Sequence, residues 1–277
     1  MCWPFAAVGM RLNSATPAGA GPVIRLSDVH VSYGKVEALS GVSVSVAAGS
    51  LSALVGRNGA GKTTMINLLS GLLVPDRGSI ELFGRACDGD SDVELRRSTG
   101  FLLSDLALFQ YLTVSETLAF LVDAYGLPKD EGQGRAEDLL RFFDLDDVRD
   151  RMADELSTGT AKRLALASAL VHAPRLLVLD EPFESLDPLL VRRLRRLLVR
   201  YVRRGGSVLL SSHLVDVVQE IADHVYIIEK GKVVFEGAGS QFRERAKSSR
   251  MSHDGGALES MYASLVDGTD DVDVAWL

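Results

Sequence analysis

The chain has 277 residues, 47% of them hydrophobic, and a formal net charge of −7. That length leaves room for one large domain or two small ones with a sizeable core, and the acidic balance argues against nucleic acid as the main partner. Its two cysteines, Cys2 and Cys87, are too few and too far apart for a disulfide or metal framework, and no apolar run is long enough to cross a bilayer.

In chain order, residues 1–22 read as a disordered N-terminal extension. Met1-Cys2-Trp3-Pro4-Phe5 lacks the basic start of a signal peptide, and the stretch that follows is small and rich in Gly and Pro. Val29, Val31 and Tyr33 alternate with polar residues and end at Gly34, as an edge hairpin does; Val42, Val44 and Val46 repeat the period. Leu51-Ser52-Ala53-Leu54-Val55 reads as a buried strand, and Met65-Ile66-Asn67-Leu68-Leu69 as a helix. A turn at Pro75-Asp76-Arg77-Gly78 leads to a short strand at 79–84. From about Leu103 to His172 the pattern is helical. Thr113-Val114-Ser115-Glu116 is a capping box, followed by Val114, Leu118, Leu121, Val122 and Tyr125 on one face. A second helix is expected over about 135–143, and a third begins after Ser157 and runs to His172. Strands return at Leu176–Leu179 and Val208–Leu210. Between them lies an amphipathic helix with Leu190, Leu194, Leu197, Leu198 and Tyr201 on its apolar side. Its arginines, Arg192, Arg196, Arg200 and Arg203, read as a solvated face rather than a nucleic-acid or lipid patch. Val225–Ile228 and Val233–Phe235 flank Gly231 as a hairpin, and residues 240–277 read as a tail, polar and then acidic around Asp267 to Asp273.

The most specific signal lies between the first core strand and its helix. Gly56-Arg57-Asn58-Gly59-Ala60-Gly61-Lys62-Thr63-Thr64 fits G-x-x-x-x-G-K-[ST]. The glycines let successive amides curl inward around anionic oxygens, Lys62 reaches terminal phosphates, and the Thr63 hydroxyl suits Mg²⁺. The second signal is Leu176-Leu177-Val178-Leu179-Asp180-Glu181-Pro182, a buried strand delivering two carboxylates at its C-terminal end. There Asp180 is suited to hold Mg²⁺ through water, and Glu181 to polarise an attacking water. Alone, the carboxylates could be a polar turn; beside a phosphate loop they form a site.

With these two motifs in order, the chain resembles the ATP-binding subunits of ABC transporters over roughly 23–239. Glu155-Leu156-Ser157-Thr158-Gly159-Thr160 is similar to the family signature Leu-Ser-Gly-Gly-Gln. Ser185-Leu186-Asp187 matches the loop at the dimer interface, His213 stands at the switch position, and Tyr33 where an aromatic ring stacks on adenine. From the residues alone, Tyr33 could be an ordinary strand tyrosine and Ser157 only a helix cap. The resemblance implies an α/β fold: a P-loop NTPase core with a mixed sheet, an N-terminal antiparallel β subdomain and a helical subdomain inserted at about 103–173. It implies ATP and Mg²⁺ as cofactors, and ATP held between two subunits, Lys62, Thr63, Asp180, Glu181 and His213 from one and Ser157 and Gly159 from the other. The second subunit is an identical or a different ATP-binding chain, and an integral membrane permease completes the assembly at the cytoplasmic face. Leu108–Val114 and Leu258–Tyr262 resemble exporters of drugs, antibiotics or polysaccharides. The alternative is a soluble ATPase of the same type acting on ribosomes or nucleic acid. The chain departs from the pattern in two places. Ser104 occupies the usual Gln position and is expected to be too short to do its work, with Asp105 a possible substitute. Thr158 and Thr160 replace the signature's first Gly and its Gln.

Overall fold

The computed structural model describes residues 21–87, 93–106 and 108–250. The expected extension over 1–22 therefore falls almost wholly outside the described residues, as does the Leu258–Tyr262 segment.

Two sheets organise the chain. Strands β1 (Ile24–Tyr33), β2 (Val36–Val46), β4 (Arg77–Leu82) and β5 (Arg85–Ala86) form an antiparallel sheet in the order β2-β1-β4-β5. The second sheet contains β3 (Leu51–Val55), β6 (Thr99–Leu102), β7 (Leu176–Leu179), β8 (Ser207–Ser212), β9 (His224–Glu229) and β10 (Lys232–Ala238), in the order β10-β9-β3-β8-β7-β6. Its pairs are parallel except the β9–β10 hairpin, so the sheet is mixed.

The central strands β3, β7 and β8 are buried at every position and mostly apolar, yet still alternate in what they face. Leu51, Ala53 and Val55 of β3 point into one core, with Leu177 and Leu179 of β7 and Val208 and Leu210 of β8. Leu54, Leu176, Val178 and Leu209 point into the other, which the antiparallel sheet closes together with α1 (Lys62–Ser70). A sheet covered on both faces needs this composition. On the first face, α6 (Pro188–Arg203) buries Leu190, Leu194, Leu198 and Tyr201, each worth about 1.5–3 kcal/mol when fully removed from water. Asp187 caps this helix, its carboxylate accepting from the Leu189 and Leu190 amides at 3.0 Å.

The inserted helices are α2 (Val93–Arg97), before β6, and then α3 (Val114–Ala124), α4 (Lys129–Phe142) and α5 (Thr158–Leu170). The capping box forms as expected: Thr113 Oγ1 accepts from the Glu116 amide, and Glu116 Oε2 from the Thr113 amide at 2.8 Å. The second helix begins at Lys129, six residues before the expected start. Gly132 and Gly134 lower its propensity, but Gly132 lies against Val122 of α3, where a Cβ would sit 2.2 Å from Val122 Cγ1. Close packing of α3 and α4 thus outweighs propensity.

After β8 comes α7 (Val215–Ile221), and after β10 comes α8 (Gly239–Arg250). The segment expected to begin a polar tail at Ser240 is helical because Phe242 is fully buried in the core and Arg243 donates to Gln219 O at 3.0 Å.

Candidate nucleotide site

The loop 56–61 leaves the C-terminal end of β3 and turns into α1. At its last residue, Gly61, φ is +111°, and a Cβ would lie 2.8 Å from both Ala38 O and Leu39 Cδ2 of β2. Only glycine fits there, so the antiparallel sheet presses directly on the loop. Gly231 in the β9–β10 turn completes the support: its N–H donates to Ala60 O at 3.0 Å, and its carbonyl accepts from Ser40 N at 2.8 Å. A 9-residue helix with no side-chain cap then presents its first amides beside the loop. Arg57, Asn58 and Gly59 at the loop's crest are exposed, Ala60 is buried, and Thr64 is half-buried on the first turn.

Lys62 is 5% exposed. Its Nζ donates to Gly56 O at 2.7 Å and Arg57 O at 3.2 Å, and lies 3.3 Å from Glu181 Oε1. The ammonium is thus held at the loop mouth by the loop's own carbonyls and by the carboxylate two residues beyond β7.

Asp180, 1% exposed, is the hub of the hydroxyl network. Its Oδ2 accepts from Thr63 Oγ1 at 2.8 Å and from Ser104, while Oδ1 accepts from Ser211. Ser104 Oγ is also 3.4 Å from Thr63 Oγ1. Ser104 makes these contacts because of where its backbone lies. β6 and β7 are adjacent parallel strands in the register Leu102↔Leu179, and the Asp180 amide donates to Leu102 O at 2.8 Å. Ser104 is therefore delivered beside Asp180. Asp105 is exposed and, among the described residues, makes no hydrogen bond or ion pair; it does not take over this contact.

Glu181 sits at φ +44°, a left-handed conformation that costs a non-glycine residue about 1–3 kcal/mol and persists only where its surroundings over-determine it. Here they do: its amide donates to Ser211 Oγ at 2.8 Å, and its Oε2 lies 3.0 Å from His213 Nδ1 and accepts from the His213 amide at 3.3 Å. Ser211 thus bridges the two carboxylate residues from the end of β8. Sequence reasoning gave Ser211 no role; a serine near the end of a core strand beside the Asp-Glu strand was the signal available. It missed Lys162 of α5 entirely. That side chain is 7% exposed and donates to Asp180 O at 3.3 Å, and burial lowers its pKa from the ordinary lysine value.

The remaining expected residues stand apart from this cluster. Tyr33 ends β1 half exposed, at 52%. Ser157 caps α5; its Oγ accepts from Thr160 N at 3.3 Å and lies 2.9 Å from Thr160 Oγ1. The hydroxyl at the Gln position therefore braces the cap. Gly159 follows on the first turn, where a Cβ would lie 2.9 Å from Ser185 O. Ser185 is at φ +62°, and Arg163 lies 3.6 Å from Asp187. The start of α5 is thereby tied to the loop before α6.

The donors around Asp180 are all oxygens, the set a hard divalent cation takes. Among the described residues no group of three or more His, Cys, Asp or Glu could hold a metal ion. The site thus fits a cation that draws further ligands from water and substrate phosphates, as Mg²⁺ does.

A phosphate loop, a buried Asp-Glu strand end and a histidine at the next strand end are joined in one network. A family model described as ABC transporter matches residues 39–184, more than half of the chain. The chain belongs to the ABC transporter family. A methionine import ATP-binding protein of Brucella abortus (strain 2308) is 34% identical over 225 residues, which are 80% of this chain and 61% of that protein. The chain thus spans about three-fifths of that relative's length. A solved ATP-binding subunit of an ABC transporter superposes with a TM-score of 0.76 at 29% identity, covering 88% of this chain and 99% of that one. A bacterial ABC transporter cassette solved as a dimer gives 0.71 at 26%, covering 78% and 98%. As an ABC cassette the chain carries an ATPase domain that binds ATP.

Proposed function

We propose that the chain hydrolyses ATP as one half of a head-to-tail pair and thereby powers an integral membrane permease. The observation that carries this is the separation of the site into two parts. Lys62, Thr63, Asp180, Glu181 and His213 are knit together at the ends of β3, β7 and β8, whereas Ser157 and Gly159 lie on α5 with partners of their own. The exposed Ser157 cap at a helix N-terminus suits the γ-phosphate of a nucleotide held by a second copy. The cassette solved as a dimer supports pairing. Tyr33, exposed at a strand end, suits stacking on the adenine.

In this reading the loop amides and Lys62 bind and orient the phosphates. Thr63, with Asp180 and Ser104 behind it, would hold Mg²⁺, which would supply neutralisation of phosphate charge. Glu181 accepts a proton from the attacking water, and His213, bonded to Glu181, keeps that carboxylate aimed. Loss of the γ-phosphate removes the contacts across the pair and lets it open, which moves the permease between its two states. The reading assigns the pathway to a permease subunit; among the described residues no helix is long and apolar enough to cross a membrane.

Export is the direction proposed from Leu108–Val114, in line with its resemblance to drug and polysaccharide exporters. The Brucella relative, named for import, supports the opposite direction. Reconstituting the chain with the membrane protein that co-purifies with it, in vesicles with MgATP added outside, tests both levels. Permease-stimulated ATP turnover with cargo entering the vesicles supports export. Turnover with cargo leaving them reverses the direction, and the absence of any permease-stimulated turnover removes the transport role.

A further inference from the structure

The charge of this chain is distributed unevenly. Residues 251–277 contain Asp254, Glu259, Asp267, Asp270, Asp271 and Asp273 and no Lys or Arg, so six of the seven excess negative charges lie in the last 27 residues. The opposite charge is concentrated on one face of α6. Arg192, Arg196 and Arg203 are spaced at i, i+4 and i+11, with Arg200 beside them, and all four are exposed. Among the described residues none of the four has an ion pair; the neighbouring Arg195 is neutralised by Glu220 of α7.

These arginines line a groove rather than a convex face. Between α6 and α7 runs a depression of about 490 Å³ with Val199 and Ile221 in its floor and arginines along its rim. It adjoins a second depression of about 350 Å³; Val199, Arg203, Glu220 and Ile221 belong to both. The far wall of the second is Ser240 and Arg243 in the first turn of α8. That turn is fastened to the core by buried Phe242 and the Arg243–Gln219 bond. The groove therefore begins at the foot of the helix that carries the acidic segment.

We infer that residues 251–277 dock back along this groove, their carboxylates on the α6 arginines and apolar residues over Val199 and Ile221. Guanidinium groups pair with carboxylates bidentately, and several such pairs on one rigid helix suit an extended acidic strand. Reach is ample. The arginine stripe from 192 to 203 spans about 16 Å, and 27 residues of extended chain span about 90 Å. Docking covers a basic face of an otherwise acidic protein and braces α7, the helix that follows the His213 turn.

The chain supplies its own probe, because its two tryptophans are Trp3 and Trp276. In the full-length Trp3→Phe chain, fluorescence anisotropy reports the motion of Trp276 alone. The expected result is a high anisotropy at low salt that falls at least twofold toward that of the free peptide as about 1 M salt shortens screening to about 3 Å. Arg192→Glu, Arg196→Glu and Arg200→Glu together should give the low value at every salt concentration while ATP binding is retained. Adding Asp270→Lys, Asp271→Lys and Asp273→Lys to that variant should restore the high value. An anisotropy that is low and insensitive to salt in the parent chain, or unmoved by the arginine reversals, overturns the inference. So does a value that falls on dilution, which would assign the groove to a second copy. Sedimentation of the parent chain with phosphatidylserine vesicles through these arginines would also overturn it, since the face would then be open to lipid.

Discussion

Ser104→Ala removes one of the three hydroxyls bonded to the Asp180 carboxylate and leaves Thr63 and Ser211 in place. A hydrogen bond to a charged group is worth about 1.5–3 kcal/mol. Asp180 is 1% exposed, which argues for the full amount, but Ser104 is exposed, so water can replace part of its bond. The lower end applies, about 1.5 kcal/mol or roughly tenfold. Because Asp180 and Thr63 form the proposed cation side of the site, the loss should appear as a roughly tenfold rise in the Mg²⁺ concentration for half-maximal turnover. ATP hydrolysis titrated with Mg²⁺ at saturating ATP measures it. Ser104→Thr, which keeps the hydroxyl, should stay near the parent, and Asp105→Ala should be neutral. An unchanged Mg²⁺ titration for Ser104→Ala, or a large effect of Asp105→Ala, would refute the role given to the network.

Lys62→Ala deletes the cation at the loop mouth and should weaken MgATP binding at least tenfold by calorimetry, with the fold intact. Gly159→Ala places a methyl group 2.9 Å from the Ser185 carbonyl, so the first turn of α5 must shift; turnover should fall severalfold while MgATP affinity, set by the other half of the site, holds. His172 is buried, stacked on Tyr125 at 3.9 Å between ring centroids, with Nε2 donating to Thr99 O at 3.3 Å. Burial, aided by the Arg135 charge, lowers its pKa to about 4. The folded state therefore keeps it neutral while the unfolded chain takes up a proton below about pH 6.5. The contribution is whole above that value and is lost as pH falls toward 4. Denaturation should show about 2 kcal/mol lost between about pH 7 and pH 5, and His172→Gln should remove that part of the slope.

What could be read from the sequence divides by the range of the interaction. The phosphate loop, the capping box at Thr113 and the Ser157 cap are local, each written in a few consecutive residues. The strand cores were legible because β3, β7 and β8 each carry a short run of mostly apolar residues. The bond from Ser104 to Asp180 was not, because it depends on the register between β6 and β7, and Ser211 reaches both carboxylate residues only because β8 lies beside β7. Gly132 hid the start of α4, since its value lies in contact with Val122 rather than in its own propensity. The polar composition after Ser240 hid α8, which a single buried residue, Phe242, anchors.

The split site is tested most directly by Glu181→Gln, which keeps the shape of the side chain and removes its basic carboxylate. A missing general base slows turnover by about 10²–10⁴-fold, so ATP bound between two copies should persist. Size exclusion with light scattering, with and without MgATP, reads the result. The account predicts a monomer without nucleotide and a stable dimer with MgATP, undone by adding Ser157→Arg to close the second half of the site. A Glu181→Gln chain that binds MgATP yet remains monomeric, or that hydrolyses it at the parent rate, would contradict it.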